Sequence, residues 1–144
     1  MKKVLAFDLG ASSGRGIIAS YENGKITLNE IHRFANNGVS VRGTFYWDIL
    51  YLFDQIKQGI VKAKLAGGFD AIGIDTWGVD FGLLDRNGDL IGNPVHYRDS
   101  RTDNIPEELF GEVSRDEVYR QTGIQIMNFN TLFQLYYLKK YRPE

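Results

Sequence analysis

The sequence predicts an α/β fold with a mixed sheet, in the order β-β-β-α-β followed by helices. Three observations predict it. A short apolar run, Val4–Leu9, ends at glycine, as a buried strand does. An Asn23-Gly24 pair, which supplies the positive φ angles of a type I′ turn, separates two strand-like segments. A long stripe of apolar residues at spacings of three and four then precedes a second short apolar run, Ala71–Asp75.

Taken in order, Val4–Leu9 reads as the first strand and Gly16–Tyr21 as the second. The third is Lys25–Phe34, with Ile26 and Leu28 on one face and His32 on its surface. The helix carries Ile49, Leu52, Phe53, Ile56, Ile60 and Ala63 on its apolar side. Asp48 is its expected N-cap, and Gly67-Gly68 its stop. Ala71–Asp75 reads as a buried strand, and Val79–Leu84 as another that turns back at Asn87-Gly88. Ser114-x-x-Glu117 and Thr131-x-x-Gln134 read as capping boxes. They open helices that run to about Gln121 and to Tyr141, the last carrying Leu132, Leu135, Tyr136 and Leu138. No Ser/Gly linker or repeat marks an internal boundary, so one domain is expected.

Composition narrows the function. Seventeen basic and 18 acidic residues give a net charge of −1, which offers no electrostatic attraction to nucleic acid or an anionic membrane. The absence of cysteine excludes disulfides, thiolate metal sites and thiol nucleophiles. The apolar run after Lys2-Lys3 stops at Asp8, too short for a secretory signal, and no stretch is long enough to span a bilayer. A cytoplasmic protein is expected.

Chemistry concentrates where the first strand runs into Asp8 and then the small residues Gly10-Ala-Ser-Ser-Gly14. Free backbone N–H groups beside a carboxylate suit a nucleotide phosphate and its Mg²⁺. The element order matches the ribonuclease-H-like core shared by actin, Hsp70 chaperones and sugar kinases. There the ends of strands one and four are neighbours, so Asp8 and Asp75 are expected to lie together. Two other readings of these residues are weaker. Gly10–Gly16 and Tyr136-x-x-x-Lys140 mimic a short-chain dehydrogenase. A dinucleotide loop must open a helix, however, and this one opens a hairpin. A two-metal nuclease would use Asp8 and Asp75, but the following helix offers only Asp48 and Asp54, and no basic patch draws in nucleic acid. No P-loop motif is present.

Four segments, Asp8–Arg15, Ile74–Phe81, Tyr97–Arg101 and Thr122–Thr131, together resemble the N-terminal part of the FGGY carbohydrate kinases, and among them those acting on L-rhamnulose. The resemblance covers nearly the whole chain. It implies transfer of the ATP γ-phosphoryl group to a ketose hydroxyl, the 1-hydroxyl for L-rhamnulose; relatives using L-fuculose, L-ribulose or D-xylulose share the first motif. By this resemblance Asp8 helps hold Mg²⁺, and Ala11, Ser12, Ser13, Gly14 and Arg15 form the phosphate hairpin. Gly78 contacts the sugar, Trp77 supplies an apolar wall, and Asp80 accepts hydroxyl hydrogen bonds. Arg98, Asp99 and Arg101 read as a structural network, and the aromatic residues from Phe129 to Tyr141 mostly as packing. The family's catalytic aspartate and adenosine site lie in later segments. The chain is therefore expected to be a partial first domain of an actin-like fold, inactive alone, which self-associates through Leu132–Tyr141 or a sheet edge. The alternative is a sugar- or nucleotide-binding module on the same fold without phosphotransfer.

Overall fold

A computed structural model describes residues 1–143. The chain divides into two compact units. The first holds residues 1–39 and 47–78, and the second residues 40–46 and those from Val79 on. No change of composition accompanies the division, although the chain passes between the units three times, after Val39, Tyr46 and Gly78.

In the first unit, β1 (Lys2–Leu9), β2 (Ser13–Glu22), β3 (Lys25–Ala35) and β6 (Ala71–Asp75) form a sheet in the order β3-β2-β1-β6. The three-strand meander is antiparallel, and β6 joins β1 in parallel, with Val4 opposite Ala71 and Asp8 opposite Asp75. Asn23 and Gly24 take φ of 49° and 77°, the type I′ turn that the sequence called for. Helix α1 (Ile49–Leu65) supplies the crossover between antiparallel and parallel halves. The Asp48 side chain accepts from the Tyr51 N–H at 3.1 Å and caps it.

The core lies between α1 and the sheet. Leu5, Phe7, Leu9, Ile18, Phe34, Leu52 and Ala63 are buried there, with Ile49, Ile56 and Ile60 packed against them. Phe53, expected in this stripe, is instead 61% exposed. Gln55 takes the inward place because it has a partner. His32, expected at the surface, is buried beneath the helix. Lys62 Nζ lies 2.8 Å from its Nδ1, and Gln55 Oε1 lies 3.0 Å from its Nε2. An ammonium only donates, so Nδ1 accepts and Nε2–H donates to Gln55. Burial and then the Lys62 charge hold the imidazole pKa below its ordinary value, keeping it neutral. Strand β6 is present as expected but is exposed along its length, since only one of its edges is paired; Ile72 and Ile74 are 47% and 53% exposed.

In the second unit, β5 (Thr44–Tyr46) pairs with β4 (Val39–Val41) across a turn at Arg42 and Gly43, both at positive φ. The sequence reading missed this hairpin, because its strands are only three residues long. The expected strand at Val79–Leu84 does not form; a single bridge, Leu84 to Leu90, remains. The chain nevertheless turns back at Asn87-Gly88 as expected: Gly88 takes a φ of 87°, the Asp85 N–H donates to the Asp89 carbonyl and the Ile91 N–H to the Leu83 carbonyl, and the Asp85 carboxylate braces the turn by accepting from the Asn87 and Asp89 N–H groups. Short helix α2 (Ile105–Phe110), also missed, packs with α4 (Thr131–Tyr141) around Ile105, Leu109 and Phe133. Helix α3 (Arg115–Thr122) starts at Ser114, whose side chain accepts from the Glu117 N–H, and stops at Gly123 in the left-handed region. The Glu117 carboxylate bonds Arg120 and Gln121, so this cap has one arm of the expected box. For α4 the cap position is Asn130, and Thr131 is the first helical residue. Its hydroxyl donates instead to the Val79 carbonyl at 2.7 Å.

The close approach of α1 to the sheet is made through Gly59. A Cβ there would stand 2.6 Å from the Phe7 ring and 3.3 Å from His32. Alanine gains about 1 kcal/mol over glycine in helix propensity, while overpacking costs about 1–3 kcal/mol. Gly59→Ala is therefore expected to destabilise the chain by up to about 2 kcal/mol in urea unfolding. A more stable variant would show that the ring and helix are not in contact.

Candidate functional site

The site is built where β1 turns into β2. Phe7 enters the core, so the alternation of the strand puts Asp8 on the opposite face, with its side chain 49% exposed. Register places Arg15 opposite Asp8 on one side and Asp75 on the other, while Arg33 lies beyond Arg15. Four charges thus cross the sheet in one row, with both acids adjacent. Asp8 Oδ2 lies 3.2 Å from Arg15 Nη2. Both groups are well exposed, so the pair adds at most about 1 kcal/mol to stability and is free to open.

The loop between the strands is held by its carbonyls. Gly10 N–H donates to the Ser13 carbonyl at 3.0 Å. Asn36 donates twice, from its N–H to the Ser12 carbonyl at 3.0 Å and from its side chain to the Gly10 carbonyl at 2.7 Å. Among the described residues, the N–H groups of Ala11 and Ser12 meet no acceptor. A loop with its acceptors tied down and its donors open is an anion cradle. Asn36 was missed in the sequence; the signal was Asn36-Asn37-Gly38 closing the third strand. Gly14 has a packing reason of its own, since a Cβ there would come within 2.1 Å of the Phe34 ring.

These residues suit a magnesium nucleotide. Asp8 offers an exposed carboxylate beside the open donors. Among the described residues no three His, Asp or Glu gather at one point. A cation here would take one or two protein oxygens and complete its shell with phosphate and water, as Mg²⁺ prefers.

Trp77 and Gly78 follow β6 directly. The Trp77 ring is stacked on the buried Trp47, with centroids 3.8 Å apart and planes at 19°. Its Nε1 is buried and has no hydrogen-bond partner. Gly78 has neither a positive φ nor any atom within 4 Å of an added Cβ. Asp80 belongs to the second unit, where its charge acts on the partly buried Arg101. Arg101 donates to Gln134 Oε1 at 2.7 Å, and Asp99 accepts from the Phe45 and Arg101 N–H groups, a network that ties the hairpin and α4 together. Buried His96 accepts at Nδ1 from the Arg98 N–H. Burial, then the Arg98 charge, pushes its pKa down to about 4. Tyr136 and Lys140, the dehydrogenase-like pair, are committed to α2 and the turn after it: Tyr136 donates to Glu112 at 2.6 Å and Lys140 to Glu108 at 2.8 Å. Those acids hold both pKa values above their ordinary range, the wrong direction for a proton-relay pair at neutral pH.

Comparison with known proteins decides the family. The model of the FGGY family of carbohydrate kinases, N-terminal domain, matches residues 3–144. The chain belongs to the FGGY carbohydrate kinases. It is 50% identical over 135 residues to the rhamnulokinase of Mannheimia succiniciproducens, covering 92% of this chain and 28% of that protein. It is also 50% identical over 136 residues to the rhamnulokinase of Bacteroides thetaiotaomicron, covering 94% and 28%. The chain thus spans less than a third of the length of these curated FGGY relatives. A gluconate kinase from Lactobacillus acidophilus superposes with a TM-score of 0.80 at 20% identity, over 99% of this chain and 29% of that one. That likeness is one of fold, the sugar-kinase form of the actin-like ATPase fold.

Proposed function

We propose that residues 1–144 are the phosphate-cradling part of an ATP-dependent ketose kinase that converts L-rhamnulose to L-rhamnulose 1-phosphate. The observation that carries this reading is the 50% identity to a rhamnulokinase over 92% of the chain. The open donors at Ala11 and Ser12 beside Asp8 support it.

In this reading the N–H groups of Ala11 and Ser12 receive phosphate oxygens, and the hydroxyls of Ser12 and Ser13 add further donors. Arg15 leaves Asp8 and turns its guanidinium to phosphate, where a charge-assisted bond is stronger than an exposed ion pair. Asp8, relieved of Arg15, faces Mg²⁺. When bound, Mg²⁺ supplies neutralising charge to the phosphates. Gly78 leaves room for the sugar beside the backbone, with Trp77 adjacent; Asp80, in the second unit, is a separate candidate for a hydroxyl contact. The curated relatives are about three times as long. We assign the proton-accepting aspartate and the adenosine contacts to the length that residues 1–144 do not match. A kinase drawing on the ATP pool belongs in the cytoplasm.

The 144-residue chain is expected to release no ADP with L-rhamnulose, Mg²⁺ and ATP in a coupled assay, while a reading frame of the relatives' length turns over L-rhamnulose faster than L-fuculose, L-ribulose or D-xylulose. Sustained turnover by the 144 residues overturns the division of labour. A preference of the long form for another ketose overturns the substrate.

Exposed apolar residues on α4 (Leu132, Leu135 and Tyr141) and at the β6 edge (Ile72 and Ile74) favour self-association of the 144-residue chain. Light scattering at high concentration is expected to give a dimer or larger; a clean monomer refutes this.

A further inference from the structure

We infer that Trp77 serves the sugar through the edge of its indole, donating Nε1–H to a hydroxyl or carbonyl oxygen, and not through its ring face. The inference rests on the sugar-site reading and changes the role given there to Trp77. Three observations carry it.

First, a ring face already in use is a poor sugar platform. Trp47 covers one face of Trp77 at 3.8 Å, nearly parallel. Trp47 is itself fixed, being buried immediately before the capped start of α1. Trp77 also packs against the core cluster between α1 and the sheet.

Second, the indole Nε1 is a buried donor with no acceptor. Such a group loses its bonds to water and gains nothing in return, a cost of about 1–3 kcal/mol. Native structures rarely keep one without a reason. The Trp47 stack sets the tilt of the ring.

Third, the neighbouring Gly78 is bare for no reason internal to the chain. Its φ is not positive, and an added Cβ would meet nothing within 4 Å. Gly73 and Gly92 share this openness, whereas at Gly14 and Gly59 a Cβ would strike Phe34 or Phe7; what sets Gly78 apart is that it adjoins the unmet Trp77 donor. Adjacent residues thus show an unmet donor and unclaimed space, and one polyol ligand answers both: its backbone-side carbon fits over Gly78 while an oxygen accepts from Trp77. The segment Thr76-Trp77-Gly78 is irregular backbone beyond the end of β6, so it is able to yield and admit that oxygen.

The test uses the two tryptophans of the chain, which give two indole N–H signals in a ¹⁵N–¹H spectrum. Trp77→Phe removes one and assigns it. L-rhamnulose is titrated into the wild-type chain up to its solubility limit, with the Gly78 amide followed beside the indoles. The expected result is a downfield shift and slower solvent exchange of the Trp77 Nε1–H with the Trp47 signal unmoved. Trp77→Phe, which keeps the ring stack, should weaken sugar binding roughly threefold to tenfold. If the Gly78 amide responds and the Trp77 indole does not, the inference fails while the sugar site stands. If neither responds, the sugar site fails and takes the inference with it. Should Trp77→Phe fail to fold, Trp47→Phe assigns the signals instead, and the wild-type shift and exchange decide alone.

Discussion

Everything at the candidate site depends on how deeply Phe7 is seated. Its ring lies between Gly16 of β2 and Gly59 of α1, where added Cβ atoms would stand 3.1 Å and 2.6 Å away. Two glycines open a slot that a single aromatic ring fills, and this brings the helix down on the sheet. A strand has only two faces, so seating Phe7 fixes Asp8 on the other one. The ladder then sets Asp8 between Arg15 and Asp75. A slip of one residue would bury the acid and expose the ring, which the core excludes.

The polar groups divide into those the chain satisfies itself and those it leaves open. His32, Gln55 and Lys62 close a network under α1, with the imidazole kept neutral by burial and by the lysine charge. Asn36 ties down the loop carbonyls. Asp99, Arg101 and Gln134 do the same for the second unit. Against this background of satisfied groups, the Ala11 and Ser12 N–H groups, the Arg15 Nε–H and the Trp77 indole N–H stand out. All four are donors, and the ligands of a sugar kinase, phosphate and polyol, are rich in acceptors.

Much of the first unit could be read from the residues because its signals are local. Asn23-Gly24 turns, Asp48 caps, and the periodicity of α1 follows its buried side, with Phe53 as the exception. His32 could not be read this way: a lone histidine in a strand looks like a surface residue until Gln55 and Lys62, 23 and 30 residues later, are brought to it. The second unit was less legible. Its three-residue strands carry too little periodicity, and the hairpin at Asn87-Gly88 keeps one bridge, Leu84 to Leu90, in place of the expected strand. At the site, the Asp8 motif was plain, whereas the stack of Trp77 on Trp47 joins residues 30 positions apart and leaves no local mark.

The central claim is that the donors between β1 and β2 hold phosphate beside Asp8. Titration of ¹⁵N-labelled chain with Mg·ATP tests it directly. The account predicts that the Ala11 and Ser12 amides move most, and that Asp8→Asn removes the dependence on Mg²⁺ while leaving the rest of the spectrum in place. Amides 10–15 unmoved by nucleotide, or a response centred elsewhere in the chain, would contradict it.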